Sequence, residues 1–424
     1  MSIRSDVTES GRHKRLKQRN AAPVQHGAME YSEPPTDLDD VRLYRLNRIR
    51  DELKKHDYAG ALLFDPLNTR YATDSTNMQI WCMHYETRCV LIMADGPVVL
   101  FDYANLAHLA EGLPTIDEYR VMNVFYYFAA GTSSEAWAKK FGQQIDDVLE
   151  KHGGANRRLA VDRLSHVGID ALRSLGIEIF DGQEVTEIAR SIKSAGEVRL
   201  MEASIDVCQT GMTAMQESLQ AGITENALWA ILQEANTRLG GEWLETRLLS
   251  SGDRTNPWFR ECSMRTIEDG DMVCFDTDLI GPYGYCADIS RAWVCGGNGN
   301  DEQKRLYRYA YEQLQHNIEL LKPGASFRDV SMQSWQIPPE FSRNTYDCIV
   351  HGVGLSDEWP SIPCARDFDD LGYDGEIMPG MVLAAESYIG TEGGAEGIKL
   401  EQMILITESG NRLLSDYPFE KQLL

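Results

Sequence analysis

The residues of this chain that could do chemistry gather in its second half, where acidic side chains interrupt hydrophobic runs. Asp276 and Asp278 stand two apart in FDTDLIGPYGYCADISR, and Asp288 follows in the same stretch. Glu386 lies in the apolar run MVLAAES, and Glu401 lies in GIKLEQMILIT. Asp is disfavoured in strands, and a carboxylate is costly to bury unless something cationic holds it. The pattern therefore indicates either acids in harmless turns or acids that surround a positive charge.

One histidine completes the candidate set. His351 in IVHGVGL stands where an apolar strand meets glycines. Individually the acids have simpler explanations, since Asp276 could cap a turn and Glu386 could face solvent. Together, five carboxylates and one imidazole favour a pair of divalent cations, bridged by carboxylates and about 3.5–4 Å apart. Hard oxygen ligands with one nitrogen favour Mn, Fe, Co or Zn over copper or a thiolate-bound metal.

The elements that must position these residues fall into two halves. Residues 40–190 alternate helical and strand-like segments, with a capping box expected at Thr132 and Glu135, which is typical of an α/β domain. Residues 191–424 open with a helix capped by Ser194 and continue with strands, a helix at about 301–321 and glycine-rich turns. This order predicts an α+β domain with helices against an antiparallel sheet.

Two strands near the C-terminus carry a more specific prediction. Glu386 and Glu401 lie in β-forming runs that are joined by a short glycine-rich connection. An antiparallel pairing of the two runs would place both carboxylates face to face across the pair.

Composition narrows the class of protein. The 424 residues carry a formal charge of −24, which argues against a nucleic-acid or anionic-membrane partner. Nine cysteines without a C-x-x-C pair suit neither a disulfide framework nor a thiolate zinc site, so a reducing cytoplasm is expected. No apolar stretch predicts a spanning helix, and the basic start, residues 1–39, has no apolar core of a signal peptide.

The acidic motifs also carry a family resemblance. DTDLIGPYGYCADISRAW, HGVGL, MPGMVLAAES and IKLEQMILI resemble the metal-binding motifs of the pita-bread metallopeptidase family, which includes methionine aminopeptidase, aminopeptidase P and prolidase and shares its fold with creatinase. RLNRIRDELKKHDYAGALLFDPLNTRYAT is similar to the smaller N-terminal domain of that family. The resemblance implies an α+β pita-bread catalytic domain at 191–424 and a smaller α/β creatinase-like domain at 40–190. Residues 1–39 are left as a basic N-terminal arm. It also implies a homodimer, with the arm or the N-terminal domain contributing to the interface.

At matching positions the resemblance implies a specific set of metal ligands. Either or both of Asp276 and Asp278 are implied, because the second aspartate stands where the peptidases often have glycine. The full set is Asp276, Asp278, Asp288, His351, Glu386 and Glu401.

The chain departs from the peptidases in its histidines. From residue 167 onward it contains only His316 and His351, and His316 is expected at the surface. Trp258, Asp357 and Glu358 stand where peptidases offer further imidazoles. An amide hydrolase needs such donors to stabilise the oxyanion and protonate the amine. A carboxylate beside two metals instead resembles a base that removes a proton from carbon, and aromatic faces suit an onium cation.

Within the family, the sequence looks like the metal-dependent dimethylsulfoniopropionate (DMSP) lyases of marine bacteria. This implies cleavage of a small zwitterionic sulfonium substrate to dimethyl sulfide and acrylate, with two divalent ions, iron favoured and Mn, Zn, Co or Ni possible. Asp357 is the preferred base and Glu358 the second choice, and Tyr346 would orient the substrate or the base. Three aromatic residues are candidate substrate contacts, although packing is the commoner role for each: Trp258, Trp359 and Trp81.

Two alternatives stay open at this point. The first is a dinuclear-metal peptidase, either an Xaa-Pro dipeptidase or an aminopeptidase P-like enzyme. The second is a non-catalytic binding module built on the pita-bread fold.

Overall fold

Continuous apolar runs form a six-stranded mixed sheet in the first half of the chain. In the computed structural model, which describes residues 34–424, every residue of its three central strands is buried. The strands are β1 (Gly60–Leu63), β2 (Cys89–Met93), β3 (Val98–Asp102), β4 (Glu118–Val121), β5 (Arg158–Val161) and β6 (Glu178–Asp181). Their order is β4-β3-β2-β1-β5-β6, with both parallel and antiparallel neighbours. Burial of both faces explains why β1, β2 and β3 are nearly continuous apolar runs rather than alternating ones.

Helices cover both faces of this sheet. They are α1 (Leu38–Lys55), α2 (Pro66–Thr73), α3 (Gln79–His84), α4 (Tyr127–Ala130), α5 (Ser134–His152), α6 (His166–Arg173) and α7 (Gly182–Ser191). Helices α1 and α7 pack on one face, and α5 packs on the other. The capping box expected at Thr132 and Glu135 is wrong, because a 3-10 turn at Gly131–Ser133 takes up Thr132 and α5 begins after it without a side-chain cap.

The second half begins with two helices, and the first of them is the helix that the sequence predicts after Ser194. Helix α8 (Ala195–Ser218) opens with a complete capping box between Ser194 and Glu197. Thr224 caps α9 (Glu225–Arg238). The remaining elements are β7 (Trp243–Leu244), β8 (Leu249–Ser251), β9 (Met272–Phe275), β10 (Leu279–Ile280), β11 (Cys286–Ala287), β12 (Arg291–Val294), α10 (Asp301–Leu320), α11 (Phe327–Gln333), β13 (Cys348–Val353), β14 (Asp357–Pro363), α12 (Phe368–Leu371), β15 (Val382–Gly390), β16 (Gly397–Thr407) and β17 (Gly410–Leu413).

Antiparallel sheets dominate this half. A five-stranded sheet has the order β14-β13-β15-β16-β17, and two three-stranded sheets have the orders β11-β10-β7 and β12-β9-β8. The helix predicted at about 301–321 is α10, which packs on β15 and β16 through an apolar face that includes Leu306, Leu314 and Ile318. The expected fold class, an α/β domain followed by an α+β domain, is confirmed.

The domain bounds themselves stay predictions, because residues 34–424 form one compact unit. The expected boundary near 190 falls at the end of α7, shortly before α8. Most of the predicted basic arm lies outside the described residues, and α1 already begins at Leu38.

Two expectations from composition can be compared with the described part of the chain. All nine cysteines lie in it, and none of them forms a disulfide bond. Within residues 34–424, no helix combines the length and apolarity needed to cross a membrane.

Candidate metal centre

Three aspartates lie on the facing segments of a bent hairpin. Strand β9 pairs with β12 and β10 pairs with β11, so the residues that join β9 to β10 lie opposite those that join β11 to β12. The Thr277 hydroxyl joins the two segments, because it donates to the backbone oxygen of Ala287 and accepts from the backbone N–H of Ile289, each at 2.9 Å. Carboxylate oxygens of Asp276, Asp278 and Asp288 consequently lie within 4.8 Å of one another, and all three residues are buried.

The two glutamates face each other on neighbouring strands, as the sequence predicts. In the antiparallel pair β15–β16, Glu386 lies directly opposite Glu401. Strand β13 lies on the other side of β15 and places His351 opposite Ala384. Because side chains alternate along a strand, residue 384 projects to the same face as residue 386, and the imidazole reaches that face too.

The distances from His351 Nε2 to the nearest carboxylate oxygens match the distances between atoms that bind one metal ion. His351 Nε2 lies 3.4 Å from Glu386 Oε1, 3.4 Å from Glu401 Oε1 and 3.6 Å from Asp288 Oδ2. Two ligands bound about 2.1 Å from one ion are about 3.4 Å apart in tetrahedral geometry. His351 Nδ1 lies 3.0 Å from the backbone oxygen of Gly352, and a carbonyl oxygen can only accept a hydrogen bond. Nδ1 is therefore the protonated nitrogen, and Nε2 is left as a ligand.

Buried oxygens without partners show that the cluster fits a cation. Asp276 Oδ1, Asp288 Oδ1 and Glu401 Oε1 have no hydrogen-bond donor among residues 34–424. Such groups are rare in folded proteins, since each loses its hydration without replacement. Three overlapping sets of three ligands share these residues, and together they include all six predicted ligands: Asp276, Asp278 and Asp288; Asp276, Glu386 and Glu401; and Asp288, His351 and Glu401. The oxygen-rich donor set with one nitrogen suits divalent cations bridged by shared carboxylates.

The pKa values of the clustered acids show that their carboxylates repel one another. Burial, followed by the neighbouring acids, raises the pKa of Asp278 and Asp288 well above the usual range. Burial and Glu401 also raise the pKa of Glu386. Burial alone would lower the pKa of His351, but the surrounding carboxylates, first among them Asp357, outweigh it and raise that pKa. The negative charge here exceeds what the protein itself neutralises.

Lys399 is a member of the cluster that the sequence analysis missed. Its fully buried ammonium lies 2.9 Å from Asp276 Oδ2, 2.5 Å from Glu386 Oε2 and 3.5 Å from Glu401 Oε2. Each glutamate thus directs one oxygen to His351 and the other to this lysine. The signal was available, because residues 399 and 401 are two apart on one strand and must share a face.

The proposed catalytic residues lie beside the cluster. Asp357 begins β14 with its side chain 51% exposed, and its Oδ1 lies 3.8 Å from His351 Nδ1. The arginines that could have neutralised it, Arg343 and Arg366, pair with other acids. The ring of Tyr346 lies 5.2 Å from Lys399 Nζ, and burial raises its pKa above the usual range.

Glu358 does not fit the role of a second-choice base. Its carboxylate is fully buried, and it forms ion pairs with Arg190 and Lys193. A base must exchange its proton with the substrate and solvent, and both oxygens of this residue are already bound to cations.

The three tryptophans differ in their relation to the cluster. Trp258 is buried beside it, with Lys399 Nζ 5.9 Å from its ring. The ring of Trp359 packs against Phe327, and Trp81, on α3, packs against Tyr85. The structure brings only Trp258 to the six predicted ligands, and the roles of the other two stay predictions.

Comparison with known proteins gives a consistent assignment. A model of metallopeptidase family M24 matches residues 199–408, and a model of the creatinase/prolidase N-terminal domain matches residues 45–192. Dimethylsulfoniopropionate lyase DddP from Roseovarius nubinhibens is 42% identical over 92% of this chain and 88% of the relative. The protein of the same name from Roseobacter denitrificans is 41% identical over 95% of this chain and 92% of the relative.

Peptidases of the same fold are more distant. An Xaa-Pro dipeptidase from Pyrococcus furiosus is 28% identical over 57% of this chain and 67% of its own. Among solved structures, an Xaa-Pro dipeptidase from Bacillus anthracis superposes with a TM-score of 0.72 at 18% identity, over 89% of this chain and 98% of its own. The prolidase from Pyrococcus horikoshii superposes with a TM-score of 0.70 at 21% identity, over 90% and 99%. At such identities the superpositions show the fold alone.

Proposed function

The chain belongs to metallopeptidase family M24, the pita-bread family, and we propose that within it this protein is a DMSP lyase that releases dimethyl sulfide and acrylate. The observation that carries the proposal is the position of Asp357. Among residues 34–424, no lysine or arginine pairs with this half-exposed carboxylate, whose Oδ1 lies 3.8 Å from His351 Nδ1 in the buried acid cluster. This is the arrangement that removal of a proton from carbon requires.

The metal ligands in this proposal are the six clustered residues. Asp276, Asp278, Asp288, His351, Glu386 and Glu401 would hold two divalent ions, with iron favoured by the resemblance to the lyases. When bound, the ions would neutralise the substrate carboxylate and offset the charge that develops when the adjacent carbon loses its proton.

Asp357 takes the proton from the carbon next to the substrate carboxylate. The electron pair of that C–H bond forms the double bond of acrylate, and the C–S bond breaks so that neutral dimethyl sulfide leaves. Because Asp357 is half exposed, its proton can pass to solvent after each turnover.

Two aromatic residues complete the substrate site in this proposal. The Tyr346 hydroxyl, kept protonated by its raised pKa, orients the substrate or the base. The face of Trp258 meets the sulfonium group, since aromatic faces attract onium cations. Trp359 and Trp81 remain predicted contacts with weaker support.

The histidine content disfavours the peptidase alternative. Residues 199–408 contain only His316 and His351. His316 is exposed and its ring nitrogen lies 2.8 Å from the backbone oxygen of Gln333. The cluster therefore offers no second imidazole to stabilise a tetrahedral oxyanion or to protonate an amine.

We further propose that the protein is a cytoplasmic homodimer. The unpaired thiols support a reducing compartment. An exposed apolar patch on the N-terminal half, which includes Tyr127 at 71% exposure and Phe128 at 70%, supports a contact between subunits there. Measurement of the mass in solution tests the dimer directly.

The first experiment measures headspace dimethyl sulfide from purified protein given DMSP. Chelator-treated protein should be inactive, and re-addition of Fe(II), Mn(II) or Zn(II) should restore the gas together with an equal amount of acrylate. Protein that carries two ions per chain and still releases no gas would refute the lyase assignment.

The same preparations separate the alternatives. Hydrolysis of an Xaa-Pro dipeptide panel without dimethyl sulfide would favour the peptidase. Metal content near zero after purification and after metal loading would favour the binding module.

A further inference from the structure

The proposed base has no side-chain support of its own. Among residues 34–424, no hydrogen bond of the described structure reaches the carboxylate of Asp357, and its side chain is half exposed. Its position is therefore set by the backbone of β14. The neighbouring residues of that strand determine where the carboxylate lies relative to His351.

The next residue, Glu358, is anchored strongly. Its side chain is fully buried, and its Oε2 accepts a hydrogen bond of 3.0 Å from Arg190 Nε while its Oε1 pairs with Lys193 Nζ. Arg190 belongs to α7 and Lys193 to the segment between α7 and α8. The beginning of the base-bearing strand is thus held by cations from another part of the chain.

The hydrogen bonds that hold Glu358 extend through Arg190 into the N-terminal half. Arg190 also donates to Asn68 on α2 and to Glu187 on α7. Glu187 in turn accepts a hydrogen bond of 2.8 Å from the backbone N–H of Trp359. Two consecutive residues after Asp357 are therefore fixed to the same group of side chains.

Two glycines make room for this arrangement. A Cβ at Gly354 would lie 2.5 Å from Glu358 Oε2, and a Cβ at Gly352 would clash with the backbone oxygen of Trp359. Both glycines belong to the segment HGVGL that carries His351. At Gly352 the strand of the imidazole and the strand of the base therefore approach too closely for a side chain, and at Gly354 the missing side chain leaves room for the Glu358 carboxylate.

We propose that Glu358, held by Arg190 and Lys193, is a positioning residue that sets Asp357 relative to the substrate. The inference rests on the proposed lyase function, in which Asp357 is the base. Glu358 touches neither substrate nor metal in this proposal. It acts through the backbone of β14, so that the N-terminal half contributes to the geometry of the reaction.

The test compares the Glu358→Gln variant with wild type in the metal-loaded protein. We expect kcat to fall by about 10²-fold, because small displacements of a reacting group have effects of this size. KM and the metal content should stay near the wild-type values, because the variant leaves the ligands in place. Hydrogen exchange should accelerate in residues 354–361, which reports the loosened strand independently of activity.

Two further variants keep the test decisive. Asp102→Asn breaks a buried ion pair with Arg88 inside the N-terminal sheet, and it should lower Tm without lowering kcat. Glu187→Gln leaves one acceptor oxygen for two donors, Arg190 and the Trp359 N–H, at a partly exposed position. It should therefore fold even if Glu358→Gln does not, and it should lower kcat by about tenfold. Wild-type kcat in the folded, metallated Glu358→Gln variant, or in Glu187→Gln where Glu358→Gln does not fold, would overturn the proposal.

Failure of the proposed function would give a different result. Wild-type protein that is inactive on DMSP with two ions bound refutes the lyase assignment. The positioning role would then be judged from hydrogen exchange alone, and unchanged exchange at 354–361 in Glu358→Gln would overturn it.

Discussion

Buried carboxylates occur in both halves of this protein, and they are treated in opposite ways. Asp162, at the end of β5, accepts hydrogen bonds of 2.6–3.1 Å from three backbone N–H groups and from the amide of Asn68. In the acid cluster, by contrast, Asp276, Asp288 and Glu401 each keep an oxygen without any donor in the described chain.

The difference distinguishes a structural acid from a ligand. Neutral donors satisfy Asp162 completely, so it joins β5 to the start of α2 without any added ion. The acid cluster has one ammonium for five carboxylates, and the remaining charge requires cations from outside the chain. Burial alone does not identify a metal ligand, whereas several buried carboxylates that outnumber the donors and cations around them indicate one.

The Asp288→Asn variant gives the strongest test of the difference between structural acids and metal ligands. This variant should lose at least one metal ion per chain, and its lyase activity should fall to background. In chelated protein it should unfold at the same or a higher temperature than wild type, because it removes one charge from a repelling cluster. Elemental analysis, headspace gas and thermal unfolding in chelator check the three parts. A chelated variant much less stable than wild type would contradict the ligand interpretation.

Removal of the base should have the next largest effect. Asp357→Asn should lower kcat by about 10²–10⁴-fold, the usual contribution of a general base. Metal content and stability should change little, because the residue is half exposed and accepts no hydrogen bond within residues 34–424. Steady-state kinetics with elemental analysis check this prediction, which fails if kcat stays within a few-fold of wild type.

Lys399→Met should weaken metal binding rather than abolish it. The ammonium orients Asp276 and Glu386, and the loss of such supporting contacts typically lowers metal affinity by about 10–100-fold. Competition with a fluorescent chelator measures the change. Unaltered affinity would mean that the lysine only neutralises charge in the metal-free protein.

Asp162→Asn should have the opposite effects to the ligand variants: it should lower stability and leave metal binding and activity unchanged. Its amide group would face backbone N–H donors, which should cost about 1–3 kcal/mol of unfolding free energy. Activity and metal content per folded chain should stay at wild-type values. Denaturant unfolding and elemental analysis test this contrast, and loss of metal here would remove the distinction between the two kinds of acid.

The pH dependence of that variant has a definite sign. Burial, which outweighs the hydrogen bonds, raises the pKa of Asp162 from 3.8 to about 6, so the folded protein binds this proton more tightly than the unfolded chain. The contribution of Asp162 to the wild-type unfolding free energy therefore falls as pH rises from about 4 to about 6. Because the amide that Asp162→Asn introduces does not titrate, the stability difference between wild type and variant should shrink over that interval.

Much of the site could be predicted because acids in apolar strands are conspicuous. The pairing of Glu386 with Glu401 followed from two β-forming runs joined by glycines, and the register confirms it. Helix α10 and the helix cap at Ser194 were equally predictable, since each follows from local side-chain spacing.

The parts that could not be predicted depend on irregular backbone or distant partners. Strand β14 shifts register against β13 between His351 and Gly352, which leaves Trp359 outside the regular alternation, so its side chain could not be assigned a face. The burial of Glu358 depends on cations far away in sequence, and no local pattern in DEWP reveals them.

Glu386 and Glu401 are fixed on two long adjacent strands, and this affects how the protein acquires its metal. Nine consecutive residue pairs hold β15 to β16, so the ligand positions are established by the sheet during folding, before any ion arrives. Affinity of a preformed site follows the general order of divalent metals rather than the identity of one required ion. The supply of exchangeable metal in the host cell should therefore decide which ion the protein carries. Batches produced in differently supplemented media should share one fold and differ in colour, redox sensitivity and turnover.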